Sequence, residues 1–248
     1  MIPWLQIDST RVPGAGVELR LMRRGAEFSM MLGPNELMNS RLSGSEEALA
    51  TLACKRIAKV RQPHVLIGGL GMGFTLRAAL KVLGSEARIV VAELLPAVIA
   101  WARGPMADLF GDSLGDSRTS IRHADVIDVI RSSASAFDAV LLDVDNGPEG
   151  LTRQANDALY DLRGLKAIRR ALRPHGVLAV WSSGPNASFS KRLRSAGFEV
   201  NEVGVRATTK RSGAHHVIWF ATKPGSVART TAPDGVTSEA PSSSHRRG

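Results

Sequence analysis

Apolar and polar positions alternate in two distinct rhythms along the chain. From residue 64 onward, short continuous apolar runs (HVLIGG, ARIVVAE, FDAVLLD and HGVLAVWS) stand between longer segments whose apolar residues recur every three or four positions. A short apolar run rich in β-branched residues reads as a strand buried on both faces. A three-to-four spacing reads as a helix with one face in the core. The helical segments are FTLRAALKVL, PAVIAWAR, NDALYDLRGLKAIRRAL and ASFSKRLRSAG. In the third, Leu159, Leu162, Leu165, Ile168 and Leu172 mark the expected buried stripe. Gly197 is placed to end the fourth. TSIRHAD reads as a shorter strand. FEVNEVGVRA and HHVIWFATK read as two final strands, paired antiparallel across the KRSGA turn.

Before this alternation, the pattern is different. VELRLMRR, AEFSMML and GPNELMNSRLSG are short apolar stretches broken by Gly and Pro, which suggests two or three strands in hairpins. A helix is expected from Ser45, taken as its N-cap, with Glu46 and Glu47 in the first turn and Leu49, Leu52, Ala53 and Ile57 inward. Strands alternating with helices imply βαβ units. The expected fold is therefore α/β, a doubly wound, mostly parallel, Rossmann-like seven-stranded sheet with a small N-terminal β-hairpin region. The chain divides into an N-terminal β region at 1–43, a catalytic core at 44–223 and a tail at 224–248. The tail is rich in Ser, Thr, Pro, Gly and Ala and too poor in large apolar residues to order itself.

Composition narrows the function classes. The single cysteine, Cys54, excludes an internal disulfide and sits in a helical pattern, as a buried structural thiol would. No CxxC or HExxH spacing points to a metal. The N-terminal residues do not follow a secretory-signal pattern, and no apolar run approaches the ~20 residues that span a bilayer. The expected location is cytoplasmic. The net charge of +9 includes Arg163, Lys166, Arg169, Arg170 and Arg173 on one helix. With only 5% aromatic residues there is no stacking platform, so the basic surface is read as solvated and not as a nucleic-acid interface.

The candidate chemistry lies at strand ends. In VLIGGLGMGFTLRAAL, Gly69, Gly71 and Gly73 form a GxGxG turn between a strand and a helix, where a missing Cβ lets a ligand approach the backbone. A tight turn without a ligand would look the same. Glu93 ends the next strand, where a carboxylate can accept from both ribose hydroxyls of a nucleotide. Asp125 follows the third strand and can accept from an adenine amine, cap the next helix, or do both, with Val126 and Ile127 beside it. LLDVDNGPEGL then puts Asp143, Asp145 and Asn146 at the end of the fourth strand, a catalytic edge or simply a strong turn. His123, His215 and His216 carry no assigned catalytic role.

The order and spacing of these pieces resemble class I AdoMet-dependent transferases, and within them the spermidine synthase-like branch, over roughly residues 20–223. LMNSRLSGSEEALATLA resembles the segment that joins this family's small β domain to its core. LIGGLGMGFTLRAAL resembles its glycine motif, LLDVDNGPEGL its catalytic strand end, and VWSSGPNASFSKRLRSAGFEV with HHVIWFATK its C-terminal strands. The resemblance implies S-adenosylmethionine or decarboxylated S-adenosylmethionine as donor, held at Gly69, Gly71, Met72, Gly73, Glu93 and Asp125, with no metal. It implies Asp143 as the proton-handling or donor-amine-holding residue, with Asp145 and Asn146 beside it, and a small amine-bearing acceptor. Pairing of the N-terminal strands offers a route to a homodimer.

Two departures bear on the chemistry. Where the family's GGGDGG motif carries an aspartate that holds the donor's amine, alignment on Leu76 and Arg77 puts Met72. Where it reads D-x-x-D-P, the second aspartate corresponds to Asn146 and the proline to Gly147. With one tyrosine, Tyr160, in the chain, the family's tyrosine-rich polyamine channel is incomplete. These losses favour methyl transfer to a small amine. Aminopropyl transfer is the alternative, and a non-catalytic nucleoside-binding protein is a third reading.

Overall fold

A computed structural model describes residues 2–13, 16–144, 158–206 and 215–225. The expected KRSGA turn, most of the tail, residues 156–157 of the third helical segment, and Asp145 and Asn146 lie outside the described residues.

A seven-stranded sheet forms the centre. Its strands are β5 (His64–Gly68), β6 (Arg88–Glu93), β7 (Thr119–His123), β8 (Phe137–Leu142), β9 (Leu172–Ser182), β10 (Glu199–Arg206) and β11 (His215–Thr222), in the order β10-β11-β9-β8-β5-β6-β7. β5 to β9 are parallel, and β11 pairs antiparallel with both β9 and β10. The doubly wound α/β architecture read from the sequence is the observed one.

The continuous apolar runs follow from burial on both faces. Val65, Ile67, Ile89, Val91, Ala139 and Leu141 enter one core; Leu66, Val90, Val140 and Leu142 enter the other. Successive side chains of a strand point to opposite faces, so both parities must be apolar. The first core is closed by α1 (Gly44–Arg56), α2 (Phe74–Val82) and α3 (Pro96–Arg103), which contribute Leu49, Leu76 and Trp101. The second is closed by α5 (Val126–Arg131), α6 (Leu162–Ala171) and α7 (Ala187–Ser195), which contribute Ile130, Ile168 and Phe189. A short helix, α4 (Ala107–Phe110), and a 3₁₀ turn (Gly111–Leu114) lie between α3 and β7. Within β8, the buried Asp138 is matched by the backbone N–H of His64 at 2.8 Å and by Arg173 at 2.7 Å.

Residues before α1 form a separate four-stranded antiparallel sheet of β1 (Leu5–Arg11), β2 (Glu18–Arg24), β3 (Glu27–Leu32) and β4 (Asn35–Asn39), in sequence order. Two or three strands were expected. β1 carries no apolar stripe because it is an exposed edge, and it is tied to α3 through Trp101, whose Nε1 donates to Asp8 at 2.7 Å. The inward residues Leu21, Phe28 and Met30 join the same core as α1 and α2, so the small sheet is packed against the large one.

Two local expectations are corrected. α1 begins at Gly44 with Ser43 in the N-cap position, and Ser45 lies inside its first turn. Leu162 is exposed, because α6 starts there, after its cap Asp161, whose carboxylate accepts from Gly164 N at 2.7 Å; the inward face is Gly164, Leu165, Ile168 and Ala171. Cys54 is fully buried and burial pushes its thiol up to about 12, so it has no nucleophilic role. Among the described residues no helix is long and apolar enough to cross a membrane.

Candidate active site between the two sheets

Parallel strands place their carboxyl ends at one edge, and here the small sheet lies over that edge. Between them is a cavity of about 200 Å³. Gly69 and Gly71 form its floor, Glu93, Asp125 and Asp143 come from successive strand ends, and Met30, Leu32, Leu37 and Met38 come from the small sheet. The strand ends are held together by backbone bonds that extend the ladders. Gly69 N donates to Ala92 O at 2.9 Å, Ala124 N to Glu93 O at 3.0 Å, and Asp143 N to Gly68 O at 3.2 Å.

The glycine loop is demanded by packing as well as by ligand access. Gly69 has φ +89°, and a Cβ there would lie 2.7 Å from the Asp143 carbonyl oxygen. Gly73 has φ +76°, and its Cβ would meet the Phe110 ring at 2.4 Å. Gly73 serves as the N-cap of α2 and does not line the cavity. Met72 is fully buried in the core and also lies outside the lining. Both were expected among the donor-binding residues. The loop turns them inward, toward α4 and the core, and leaves Gly69 and Gly71 at the surface of the cavity.

Glu93 is buried, and each of its oxygens already accepts a backbone N–H: Leu70 N to Oε2 and Leu95 N to Oε1, both at 2.8 Å. Burial pushes its carboxyl up, opposed by N–H groups of Leu95, Leu70, Gly71 and Leu94. The two bonds at 2.8 Å take one acceptor position on each oxygen of this carboxylate and fix its orientation toward the cavity. Asp125 is the helix cap that its position allowed, and it also faces the cavity. Its side chain caps α5 by accepting from Ile127 N at 3.1 Å, and it lines the cavity with Val126. Ile127 is buried in the core beneath.

Asp143 accepts from Thr75 Oγ1 at 2.7 Å. Burial, reinforced by the negative charge of Glu46, raises its carboxyl from 3.8 to about 7, against the Thr75 bond. Glu46 is itself raised by burial, with Ser45 Oγ donating to its Oε2 at 2.7 Å and Glu47 adding repulsion. Glu46 and Trp181 line the cavity, and neither was identified from the sequence as a site residue. Glu46 was assigned to a helix first turn, which it occupies; its second role depends on α1 meeting the sheet edge. Trp181 was read as part of a core strand.

Four carboxylates thus line the cavity: Glu46, Glu93, Asp125 and Asp143. Among the described lining residues there is no Lys, Arg or His. In a chain of net charge +9 this is a local reversal of sign. It is the electrostatic form of a cation site.

Comparison with known proteins bears on the fold. No family model matches the chain. A polyamine aminopropyltransferase of Mycobacterium tuberculosis is 32% identical over 155 residues, covering 58% of this chain and 28% of that protein. One from Sulfolobus acidocaldarius is 25% identical over 126 residues, covering 51% and 40%. Spermidine synthase from Thermotoga maritima superposes with a TM-score of 0.69 at 19% identity, over 89% of this chain and 74% of that one. A spermidine synthase in complex with the transition state analogue AdoDATO gives the same TM-score at 20% identity. The chain is similar to these spermidine synthases in fold. The chain spans less than a third of the length of the M. tuberculosis relative.

Proposed function

We propose that this chain is an alkyl transferase that moves an aminopropyl group from decarboxylated S-adenosylmethionine to a small amine. The observation that carries the reading is the sign of the cavity. Donor sulfonium, donor amine and acceptor ammonium are all cations, and the described lining offers carboxylates alone as charged groups. A donor that kept its carboxylate would add an anion to this surface, which electrostatics disfavours. The curated relatives named polyamine aminopropyltransferase support the same choice.

Methyl transfer, favoured from the sequence, loses its main support. That argument needed Met72 to face the donor, and its side chain is packed in the core. The comparisons agree with the aminopropyl alternative. A purely nucleoside-binding role leaves unexplained why a carboxylate raised to about 7 stands at the acceptor side of the cavity.

In this reading Gly69 and Gly71 admit the donor to the backbone, Glu93 accepts from its ribose hydroxyls, and Asp125 with Val126 borders its adenine. Asp143 takes a proton from the acceptor ammonium, and the freed lone pair attacks the donor carbon in line with the departing sulfur. Asp145 and Asn146, outside the described residues, remain proposed as its neighbours on the acceptor side. The chain's own contribution is alignment, water exclusion by the small sheet, and proton removal. The test is product analysis by mass spectrometry with decarboxylated S-adenosylmethionine and a series of diamines. Methylthioadenosine and an aminopropylated amine are expected in equal amounts. A methylated amine formed from S-adenosylmethionine, with no aminopropyl product, would overturn the reading.

A further inference from the structure

Ser45 is almost completely buried, at 1% exposure, yet its hydroxyl does not cap α1, whose N-cap position belongs to Ser43. It stands between two titratable groups. Its Oγ lies 2.7 Å from Glu46 Oε2 and 3.0 Å from Nδ1 of His216, 171 positions away on β11. The half-buried His216 ring packs edge-on against Trp181, with centroids 4.8 Å apart, so the chain of contacts runs beside the cavity wall.

We propose that Ser45 and His216 form a proton relay serving Glu46, and that Glu46 shares with Asp143 the task of accepting the proton released by the substrate amine. The inference rests on the amine-alkylating reading above. A serine hydroxyl carries one proton, so the chain has two polarities. In one, His216 Nδ1–H donates to Ser45 and Ser45 donates to ionised Glu46. In the other, protonated Glu46 donates to Ser45, Ser45 donates to Nδ1, and the imidazole proton sits on Nε2. Passing from the second to the first, the Glu46 proton moves to Ser45, the Ser45 proton moves to Nδ1, and the Nε2 proton leaves to water, so one proton is delivered outward.

The reaction requires such an outlet. An acceptor ammonium must lose one proton before its lone pair can attack. The N–C bond then forms, the C–S bond breaks with its electron pair going to sulfur, and the product leaves as a secondary ammonium. One proton per turnover is left on the carboxylate pair and must reach water from under the small sheet. His216 suits the outer end. Burial and the neighbouring His215 hold its imidazole below the usual histidine range, which favours the neutral ring whose Nδ1 can accept. The groups facing His216 are Ser45, Trp181 and His215; those facing Glu46 are Ser45, Glu47 and Asp143.

The test uses Ser45→Ala and His216→Ala in the full chain. Both are expected to lower kcat about tenfold in dilute buffer of bulky bases, with KM for the donor within about twofold. Added imidazole should restore His216→Ala but not Ser45→Ala, which a merely structural loss would not show. Unchanged kcat in both variants, or a loss in His216→Ala that imidazole does not relieve, would overturn the relay. A second arm needs no turnover. Titration of His216 by ¹⁵N NMR should show its midpoint fall by about half a unit or more in Glu46→Gln, because a nearby anion is removed. An unchanged midpoint overturns the relay. A wild-type protein that consumes no donor with any amine overturns the proposed reaction instead, and the NMR arm still decides the relay.

Discussion

Replacing Asp143 with asparagine removes one buried charge while keeping the shape of the cavity floor. In the folded chain the Asp143 carboxyl sits at about 7, against 3.8 ordinarily. The folded state therefore holds this proton more tightly than the unfolded chain. The resulting stabilisation is fully present below about pH 3.8 and is lost as pH rises through 7. Above that, folding carries the whole cost of an ionised carboxylate facing Glu46, about three pH units or about 4 kcal/mol. Of this, about 2–3 kcal/mol develops between roughly pH 5 and 8.5. Asparagine can still accept from Thr75, whose Oγ1 lies 2.7 Å from Oδ2, and it does not titrate. Urea unfolding of ligand-free wild type and Asp143→Asn at those two pH values measures the difference directly. The variant should gain on the wild type by about 2–3 kcal/mol at the higher pH. A difference in stability that is the same at both pH values would refute the placement of a buried carboxylate with a raised pKa in this cavity. The same variant should be nearly inactive, a trade of function for stability.

Three further outcomes follow from the same geometry. Because Asp143 must be ionised to accept a proton, kcat/KM should rise with pH to a plateau with its midpoint near 7, and a flat profile between pH 6 and 8 would remove it from that role. Glu93→Ala should weaken methylthioadenosine binding by about tenfold or more in calorimetry, the worth of hydrogen bonds to a charged group, and an unchanged affinity would refute the ribose assignment. Gly73→Ala should cost about 2–4 kcal/mol of stability in chemical denaturation, from a positive φ and a clash with Phe110; the cost should shrink in a Phe110→Leu background, and equal costs in both backgrounds would contradict the contact.

The parallel core could be read in the sequence because burial on both faces leaves a plain trace: unbroken apolar runs such as FDAVLL, each followed by an amphipathic stretch. Glu93, Asp125 and Asp143 could be read because strand ends in such a sheet share one edge, so three local patterns predicted one place. β1 left no such trace, since an exposed edge strand has no inward face to mark it. Glu46 was hidden for a different reason. An acid in a helix first turn already has a local explanation, and only the docking of α1 against the sheet edge gives it a second. His216 meets Ser45 across 171 positions, which no spacing rule reports. Met72 erred in the opposite sense. Alignment put it at a donor-facing position, while the φ values of the flanking Gly71 and Gly73 belong to a loop that has its side chain in the core.

A cavity whose described charged groups are all acids should select a donor without a carboxylate. Calorimetric titration of the full chain with decarboxylated S-adenosylmethionine and with S-adenosylmethionine, under identical buffer and salt, tests it most directly. The decarboxylated donor should bind at least about tenfold more tightly, a difference of about 1.4 kcal/mol. Equal affinity, or tighter binding of S-adenosylmethionine, would contradict it.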